Sequence, residues 1–188
     1  MNLLHRWLCS SDRWKATLET RALPWTLEDV ELGSEVLEVG PGPGLTTDLL
    51  CGRVAHLTCV EIDQGFSDSL AQRMKGKNVT VLHGDATAMS FPAAAFDSAV
   101  SFTMLHHVQS AALQDRLFAE VARVLRPAGV FAGMDSVYSK SLRLLHVFDT
   151  MVLVDPATLP GRLESAGFTD VSVDTNPYAF RFRARRRA

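Results

Sequence analysis

The sequence predicts an α/β fold: a doubly wound, mostly parallel seven-stranded sheet with a C-terminal antiparallel hairpin. Three observations carry that expectation. From Ser34 onward, short apolar runs alternate with helical patterns, the signature of strand–helix–strand units joined by right-handed crossovers. The first apolar run ends in the glycine-rich stretch Gly40-Pro41-Gly42-Pro43-Gly44. The last two strand-like runs flank a turn at Asn176-Pro177 with no helix between them.

Glu35–Val39 reads as the first buried strand, and Thr46–Leu50 as a short helix stopped by Gly52. His56–Ile62 is the second strand, Gln64–Lys75 a helix ended by Gly76, and Val79–His83 the third strand. Phe96–Phe102 follows the turn at Pro92 as the fourth. Ser110 caps a helix through Leu125, with Leu113, Leu117, Val121 and Val124 on one face, until Pro127 and Gly129 break it. Val130–Met134 is the fifth strand. Leu159–Ala166 is a helix, and Phe168–Val173 and Tyr178–Arg183 form the hairpin. The regions 1–33 and 137–154 lack this alternation. The first holds Trp7, Trp14 and Trp25 and the second is rich in Leu, Val and Phe, so both read as helical caps packed on the core. The expected organisation is one domain: an N-terminal cap (1–33), a ligand-binding core (34–136), a cap insertion (137–154) and a C-terminal helix with hairpin (155–188).

Bulk properties narrow the function. With 188 residues and 47% hydrophobic content, the chain suits a single globular core. A formal net charge of −2 argues against a broad nucleic-acid-binding face. The basic end at Arg181, Arg183 and Arg185–Arg187 alternates with Phe180 and Phe182, which reads as an edge-region strand followed by a frayed tail. Cys9, Cys51 and Cys59 are odd in number and form no CxxC pair, so neither a disulfide framework nor a zinc site is expected. His5 and Arg6 interrupt the apolar N-terminus, which is too short for a membrane span. A soluble, cytoplasmic protein without a membrane partner is the expectation.

The glycine-rich turn permits close backbone approach to a ligand at the carboxyl end of the first strand. It lacks the Lys-Ser/Thr of a P-loop, and Leu45 stands where a dinucleotide fingerprint needs its third small residue. Pro41 and Pro43 remove two N–H groups that a pyrophosphate would use, so adenosine without phosphate fits better. Glu61 ends the second strand, where a carboxylate can accept both hydroxyls of a ribose. Asp85 ends the third, where it can accept from an adenine amino group. Each residue alone is a common turn, solvated strand end or helix cap; order and spacing give them weight together.

The stretch Val36 to Gly44, with Val60-Glu61-Ile62-Asp63 and His83-Gly84-Asp85-Ala86, resembles the class I S-adenosylmethionine (SAM)-dependent methyltransferases, whose fold is Rossmann-like. Phe96-Asp97 through His106-His107, with Val124-Leu125-Arg126-Pro127-Ala128-Gly129, looks like the small-molecule branch of that superfamily, the methyltransferase type 11-like one. The resemblance covers about residues 34–184. It implies SAM as cofactor, S-adenosylhomocysteine (SAH) as product, and a small-molecule methyl acceptor. It also implies Gly40, Gly42 and Gly44 around the methionine part and Glu38 holding the loop and the SAM ammonium, directly or through water. Glu61 would meet the ribose and Asp85 the adenine, with Ile62, Ala86 and Ser101 also expected to bind the cofactor. The family's Arg-Pro-Gly-Gly turn has Ala128 in place of its first glycine.

His106 and His107 follow the fourth strand, beside the transferred methyl in this family. Imidazole, with a reference pKa of about 6.5, suits removal of an acceptor proton; packing under the pocket is the plainer reading of each. Asp135 is a weaker candidate base. The six histidines show no HExxH or comparable spacing, so no metal is expected. Trp7, Trp14, Leu144, Leu145 and Phe148 are expected to enclose the acceptor. Two alternatives stand. The first half also resembles RNA adenine dimethylases, but Ser101-Phe102-Thr103-Met104 replaces their Asn-Leu/Ile-Pro-Tyr/Phe base clamp. A non-catalytic SAM-binding or partner-binding protein would keep Glu38, Glu61 and Asp85 as well.

Overall fold

The computed structural model describes residues 10–188; Trp7 and Cys9, singled out above, lie outside the described residues. Seven strands form one sheet: β1 (Glu35–Val39), β2 (His56–Glu61), β3 (Val79–His83), β4 (Phe96–Phe102), β5 (Leu125–Ser136), β6 (Phe168–Thr175) and β7 (Ala179–Arg186). Their order is β3-β2-β1-β4-β5-β7-β6. The first five pair in parallel, whereas β7 runs antiparallel to both β5 and β6. The chain moves outward from β1 to β3, then returns to place β4 on the other side of β1. That reversal opens a crevice beyond the carboxyl ends of β1 and β4.

Helices cover both faces of the sheet: α1 (Asp12–Thr17), α2 (Leu23–Thr26), α3 (Leu45–Leu50), α4 (Gln64–Arg73), α5 (Ala111–Val124), α6 (Lys140–Leu145) and α7 (Leu159–Ser165). Strand alternation divides the core into two layers. Leu37 and Val39 join Leu117, Phe118 and Val121 of α5 with Phe131, Phe168 and Phe182. Val36, one residue out of phase, packs with Leu18, Leu23, Leu57, Leu70 and Met74. The helix α5 starts where Ser110 accepts the Leu113 N–H at 3.2 Å.

The C-terminal antiparallel hairpin is present as expected, but its second strand is not at the sheet's edge. The strand β7 is interior, with Phe182 opposite Gly133 of β5 and Val173 of β6. A Cβ on Gly133 would lie 2.4 Å from the Ser101 carbonyl oxygen and 2.7 Å from the Phe182 ring, so only glycine admits that ring. Nor is the basic end a frayed tail, since Arg185 and Arg186 still pair with neighbouring strands. Arg181 donates to Asp174 (2.9 Å), to Glu28 (2.7 Å) and to the Trp25 carbonyl, and so pins the N-terminal cap to the sheet.

That cap is one helical run with a π-helical turn, Leu18–Ala22, between α1 and α2. Pro24 has no N–H to give the preceding turn, and the run widens so that the Leu23 N–H reaches the Leu18 carbonyl. The 137–154 region departs from expectation too. Leu144 and Phe148 are exposed rather than packed, because the short α6 turns His146 inward instead. Among the described residues no helix is long and apolar enough to cross a membrane.

Asp97, at the start of β4, organises the amino end of the sheet. Its Oδ2 accepts the N–H groups of Ser34 and Glu35, both at 2.9 Å, and its Oδ1 accepts from Arg126. Gly33 has φ +76°, and a Cβ there would meet the Asp97 side chain at 2.5 Å. The sequence Leu125-Arg126-Pro127-Ala128-Gly129 therefore opens β5 rather than breaking the chain before it. In this turn Ala128 takes φ +64°, a left-handed conformation that strains any Cβ.

Two stability predictions follow from these contacts. Replacing the exposed Ala128 by glycine relieves the left-handed strain, so Ala128→Gly is expected to stabilise by about 0.5–1 kcal/mol after glycine's unfolded-state entropy is subtracted. Chemical denaturation checks this. The Glu35 and Ser34 N–H groups with Arg126 outweigh burial and hold the Asp97 carboxyl below the usual carboxylate range. Its contribution is complete above the unfolded carboxylate pKa and fades as pH falls through that value toward the depressed folded one. Asp97→Ala is expected to cost about 1.5–3 kcal/mol near neutral pH, with a smaller difference from the parent in acid; denaturation at a series of pH values measures both.

Candidate active site

A cleft of about 390 Å³ opens over the carboxyl ends of β1, β2 and β4, within the size range of small-ligand sites. The glycine loop Gly40–Gly44 forms one wall, and its three glycines are required for different reasons. Gly40 has φ +65° and leaves no space between itself and Met104, whose Cγ would stand 2.2 Å from a Cβ. Gly42, φ +54°, faces open space in the cleft. Gly44, φ +79°, caps α3 and packs against Leu70 and Arg73, away from the cleft. Arg73 clamps the loop from outside by donating to the Pro43 carbonyl (2.9 Å) and the Gly44 carbonyl (3.0 Å).

Glu61 closes the loop against β2. Its Oε2 accepts the Gly42 N–H at 2.8 Å and its Oε1 accepts the Asp63 N–H at 2.9 Å. Each carboxylate oxygen keeps a second lone pair for a ligand hydroxyl. Beside it Ile62 is 68% exposed and lines the cleft, an apolar plate for a flat ring. Asp85 spends Oδ1 on the Thr87 N–H (2.8 Å), leaving its other oxygen for a donor, and Ala86 lines the same end. These features suit a nucleoside: a carboxylate for a vicinal diol, an apolar plate, and a second carboxylate for an exocyclic amine. No Lys or Arg among the described residues lines the cleft.

Four of the residues expected around the ligand do not line the cleft. Glu38 is buried on the α3 side of β1, where Thr46 and Thr47 (2.6 Å) donate hydroxyls to its two oxygens and the Cys59 thiol donates at 3.4 Å. Burial pushes its carboxyl up, against the lowering effect of those three donors. It holds the loop by fixing the first turn of α3, and does not line the cleft. Gly44 serves packing, as above. Ser101 is fully buried in β4, with its Oγ making no hydrogen bond. His106 lies beneath the cleft floor.

His106 and His107 occupy the 3₁₀ turn Leu105–His107 after β4. Asp135, buried at the end of β5, accepts the His106 backbone N–H at 3.1 Å and bonds its Nδ1. Burial alone would lower the His106 pKa, but the charge and hydrogen bond of Asp135 outweigh it and hold it above the usual imidazole value. The same partnership keeps Asp135 below its ordinary range despite complete burial. Asp135 is thereby committed to His106 and does not line the cleft. His107 does line it, with Met104, Leu113, Leu117, Asp149 and Thr150. Of the residues expected to enclose an acceptor, Trp14 lines the cleft; Leu144 and Phe148 do not. Leu18, Phe66, Asp149 and Thr150 do so without having been expected, since nothing in their spacing distinguishes them from ordinary cap residues.

A family model described as a methyltransferase domain matches residues 37–133, just over half of the chain. An uncharacterized methyltransferase from Mycobacterium bovis is 34% identical over 97 residues, covering 51% of this chain and 48% of the relative. The chain thus spans about half the length of the mycobacterial protein it matches. The ribosomal RNA small subunit methyltransferase A of Fusobacterium nucleatum is 38% identical over 60 residues, only 31% of this chain and 23% of that protein. In three dimensions the chain matches a SAM-dependent methyltransferase from Aquifex aeolicus with a TM-score of 0.76 over 98% of both chains, at 17% identity. The fold is therefore that of the Rossmann-like methyltransferases, and the chain belongs to the methyltransferase domain family.

Proposed function

We propose that the chain is a SAM-dependent methyltransferase whose acceptor is a small, largely apolar molecule bound between the glycine loop, the N-terminal cap and the 146–150 turn. One observation carries the proposal. A single cleft runs from the nucleoside-type features at Glu61, Ile62 and Asp85, past the glycine loop, to His107 and an apolar wall of Trp14, Leu18, Leu113 and Leu117. When bound, SAM supplies an electrophilic methyl group on sulfur, open to in-line displacement with SAH as the leaving product.

The chain's own residues supply position and proton handling. Glu61 and Asp85 fix the nucleoside end, and the Glu61–Gly42 hydrogen bond keeps the loop at one distance from it. Trp14 and Leu18 close the far side, so an acceptor there is held in line and screened from water. As the acceptor attacks carbon, its O–H or N–H proton needs a base within reach. His107 lines the cleft and is the candidate for that role. His106, locked by Asp135 beneath it with ring centroids 4.3 Å apart, positions His107 rather than meeting the acceptor.

Charge supports a small acceptor over a polynucleotide. The carboxylates lining the cleft are Glu61, Asp63, Asp85 and Asp149, and they face no lining Lys or Arg among the described residues. A phosphate backbone would find no Lys or Arg among the described lining residues to displace its counterions. The partial match to a ribosomal RNA methyltransferase falls short of a second reading, since the base-clamping motif is replaced by Ser101-Phe102-Thr103-Met104.

Titration calorimetry tests the cofactor. SAM and SAH are expected to bind without added metal, and Glu61→Ala is expected to weaken both by roughly tenfold to a hundredfold with the fold retained by circular dichroism. An unchanged dissociation constant would place the ribose elsewhere. Once an acceptor is found by mass spectrometry of small molecules incubated with labelled SAM, His107→Ala is expected to lower kcat by about 10²–10⁴ with SAM affinity little changed. A variant retaining parental kcat would leave methyl transfer to positioning alone.

A further inference from the structure

The 3₁₀ turn after β4 and the end of α6 bring three imidazoles together from distant parts of the chain. His106 and His107 come from the turn, and His146 from the residue that caps α6. Their ring centroids lie 4.3, 4.9 and 5.1 Å apart, and one nitrogen from each falls within 4.8 Å of the other two. Apolar packing does not account for this: a buried aliphatic side chain at any of the three positions would fill the space without polar atoms.

The hydrogen bonds around the cluster fix which nitrogens face inward. Asp135 takes Nδ1 of His106, and the ring is 2% exposed. Its Nε2 is buried with no hydrogen-bond partner, a costly arrangement for a nitrogen lone pair unless something is meant to meet it. The Nδ1–H of His146 donates to the Leu142 carbonyl at 2.8 Å, so the neutral ring carries its lone pair on Nε2. A carboxylate on the far nitrogen of one imidazole, and a backbone carbonyl on that of another, are the supports that orient metal-binding histidines. His107 also lines the cleft, as does Asp149 three residues beyond His146.

We propose that His106 Nε2, His146 Nε2 and a ring nitrogen of His107 form a binding site for a first-row transition-metal dication of the zinc type. Three neutral imidazoles match the ligand preference of Zn²⁺, Co²⁺ and Ni²⁺, not that of Mg²⁺ or Ca²⁺. Metal–nitrogen bonds of about 2.1 Å put tetrahedral ligands roughly 3.4 Å apart, a contraction within reach of side-chain rotation. The fourth position opens toward the cleft, where Asp149, water or an acceptor heteroatom completes it. A metal-bound His107 keeps no basic ring nitrogen, so the proton-accepting role proposed above belongs to the metal-free protein. The ion would reinforce the links that already tie the 137–154 cap to the core, the Val152 N–H donated to the His106 carbonyl at 2.8 Å and the Gln114 amide donated to the Val152 carbonyl at 2.8 Å.

The test reads metal directly and needs no acceptor, so its outcome is independent of SAM binding and of methyl transfer. The full chain, stripped with chelator and then freed of it, is titrated with Co²⁺ while visible absorption is recorded. One equivalent is expected to bind with the intense d–d bands of a four-coordinate nitrogen-ligated ion, and Zn²⁺ is expected to displace it. Asp135→Asn is expected to weaken binding by roughly 10–100-fold, and His146→Ala and His107→Ala by more. Circular dichroism establishes that each variant is folded. Should a variant unfold, Zn²⁺-induced shifts of the three imidazole resonances in the parent protein decide in its place. The proposal is overturned if the parent takes up no Co²⁺ or Zn²⁺ at micromolar concentration. It is equally overturned if folded His146→Ala and His107→Ala proteins bind as tightly as the parent, or if the imidazole resonances do not move.

Discussion

The cleft depends on the hydrogen bond that closes the glycine loop over β2: the Gly42 N–H donated to the Glu61 carboxylate at 2.8 Å, next to the Gly40 N–H donated to the Val60 carbonyl at 2.9 Å. It spans the carboxyl ends of two adjacent parallel strands and forces the loop after β1 to fold over the end of β2. The loop can take that path because Gly40, Gly42 and Gly44 all adopt left-handed backbone angles. Behind it, Glu38 anchors the first turn of α3 through Thr46 and Thr47, and Arg73 of α4 holds the loop carbonyls. Three carboxylate- or guanidinium-centred contacts thus fix one short segment from three sides. That segment forms one wall of the cleft; strand ends, the N-terminal cap, the turn after β4 and the Asp149–Thr150 turn form the others.

The division of labour among carboxylates repeats across the molecule. Asp97 and Glu38 are structural, each accepting from neighbours that would otherwise be unpaired at a strand or helix start. Glu61 is structural through two backbone bonds and retains lone pairs for a ligand. Asp135 is fully engaged with His106 and the start of the following segment, its Oδ1 accepting the Ser136 N–H at 2.6 Å. Among the described residues, Asp63, Asp85 and Asp149 line the cleft alongside Glu61. Burial alone does not decide the roles: Glu61 is buried like Glu38 and Asp135, and it differs from them in lining the cleft.

Much of this was legible in the sequence. Strands β1, β2, β4 and the centre of β5 announced themselves because a parallel strand buried on both faces is a continuous apolar run, bounded by glycine, proline or acidic turns; β3, a partly exposed edge strand, was marked by its β-branched residues and the Gly84-Asp85 turn after it. The Ser110 cap and the Leu117–Val121–Val124 face of α5 were legible for the same local reasons. The positions of Glu61, Ile62 and Asp85 followed from strand ends and glycine spacing. What escaped were facts of pairing and convergence. No periodicity distinguishes an edge strand from an interior one, so the insertion of β7 between β5 and β6 could not be read from Phe180 and Phe182. Glu38 pointed to the ligand only while its partners were unknown; Thr46 and Thr47 look like ordinary helix residues in sequence. The three histidines share no spacing because His146 reaches the other two through the cap, and the leucines of that cap masked it as apolar packing.

The interior place of β7 has a consequence for how the chain folds. Each of β1 to β5 can find a parallel partner before β7 is made, yet β5 cannot complete its second edge, and β6 cannot pair at all, until β7 has been made and inserted. Until then the run Val130–Met134 presents an open line of backbone donors and acceptors beside an apolar face, the kind of edge on which chains associate with one another. The two arginines that flank Phe182, Arg181 and Arg183, are carried on the strand that closes this edge. Late closure by a charged strand makes the yield of soluble protein, more than the final stability, the property most sensitive to changes near the hairpin.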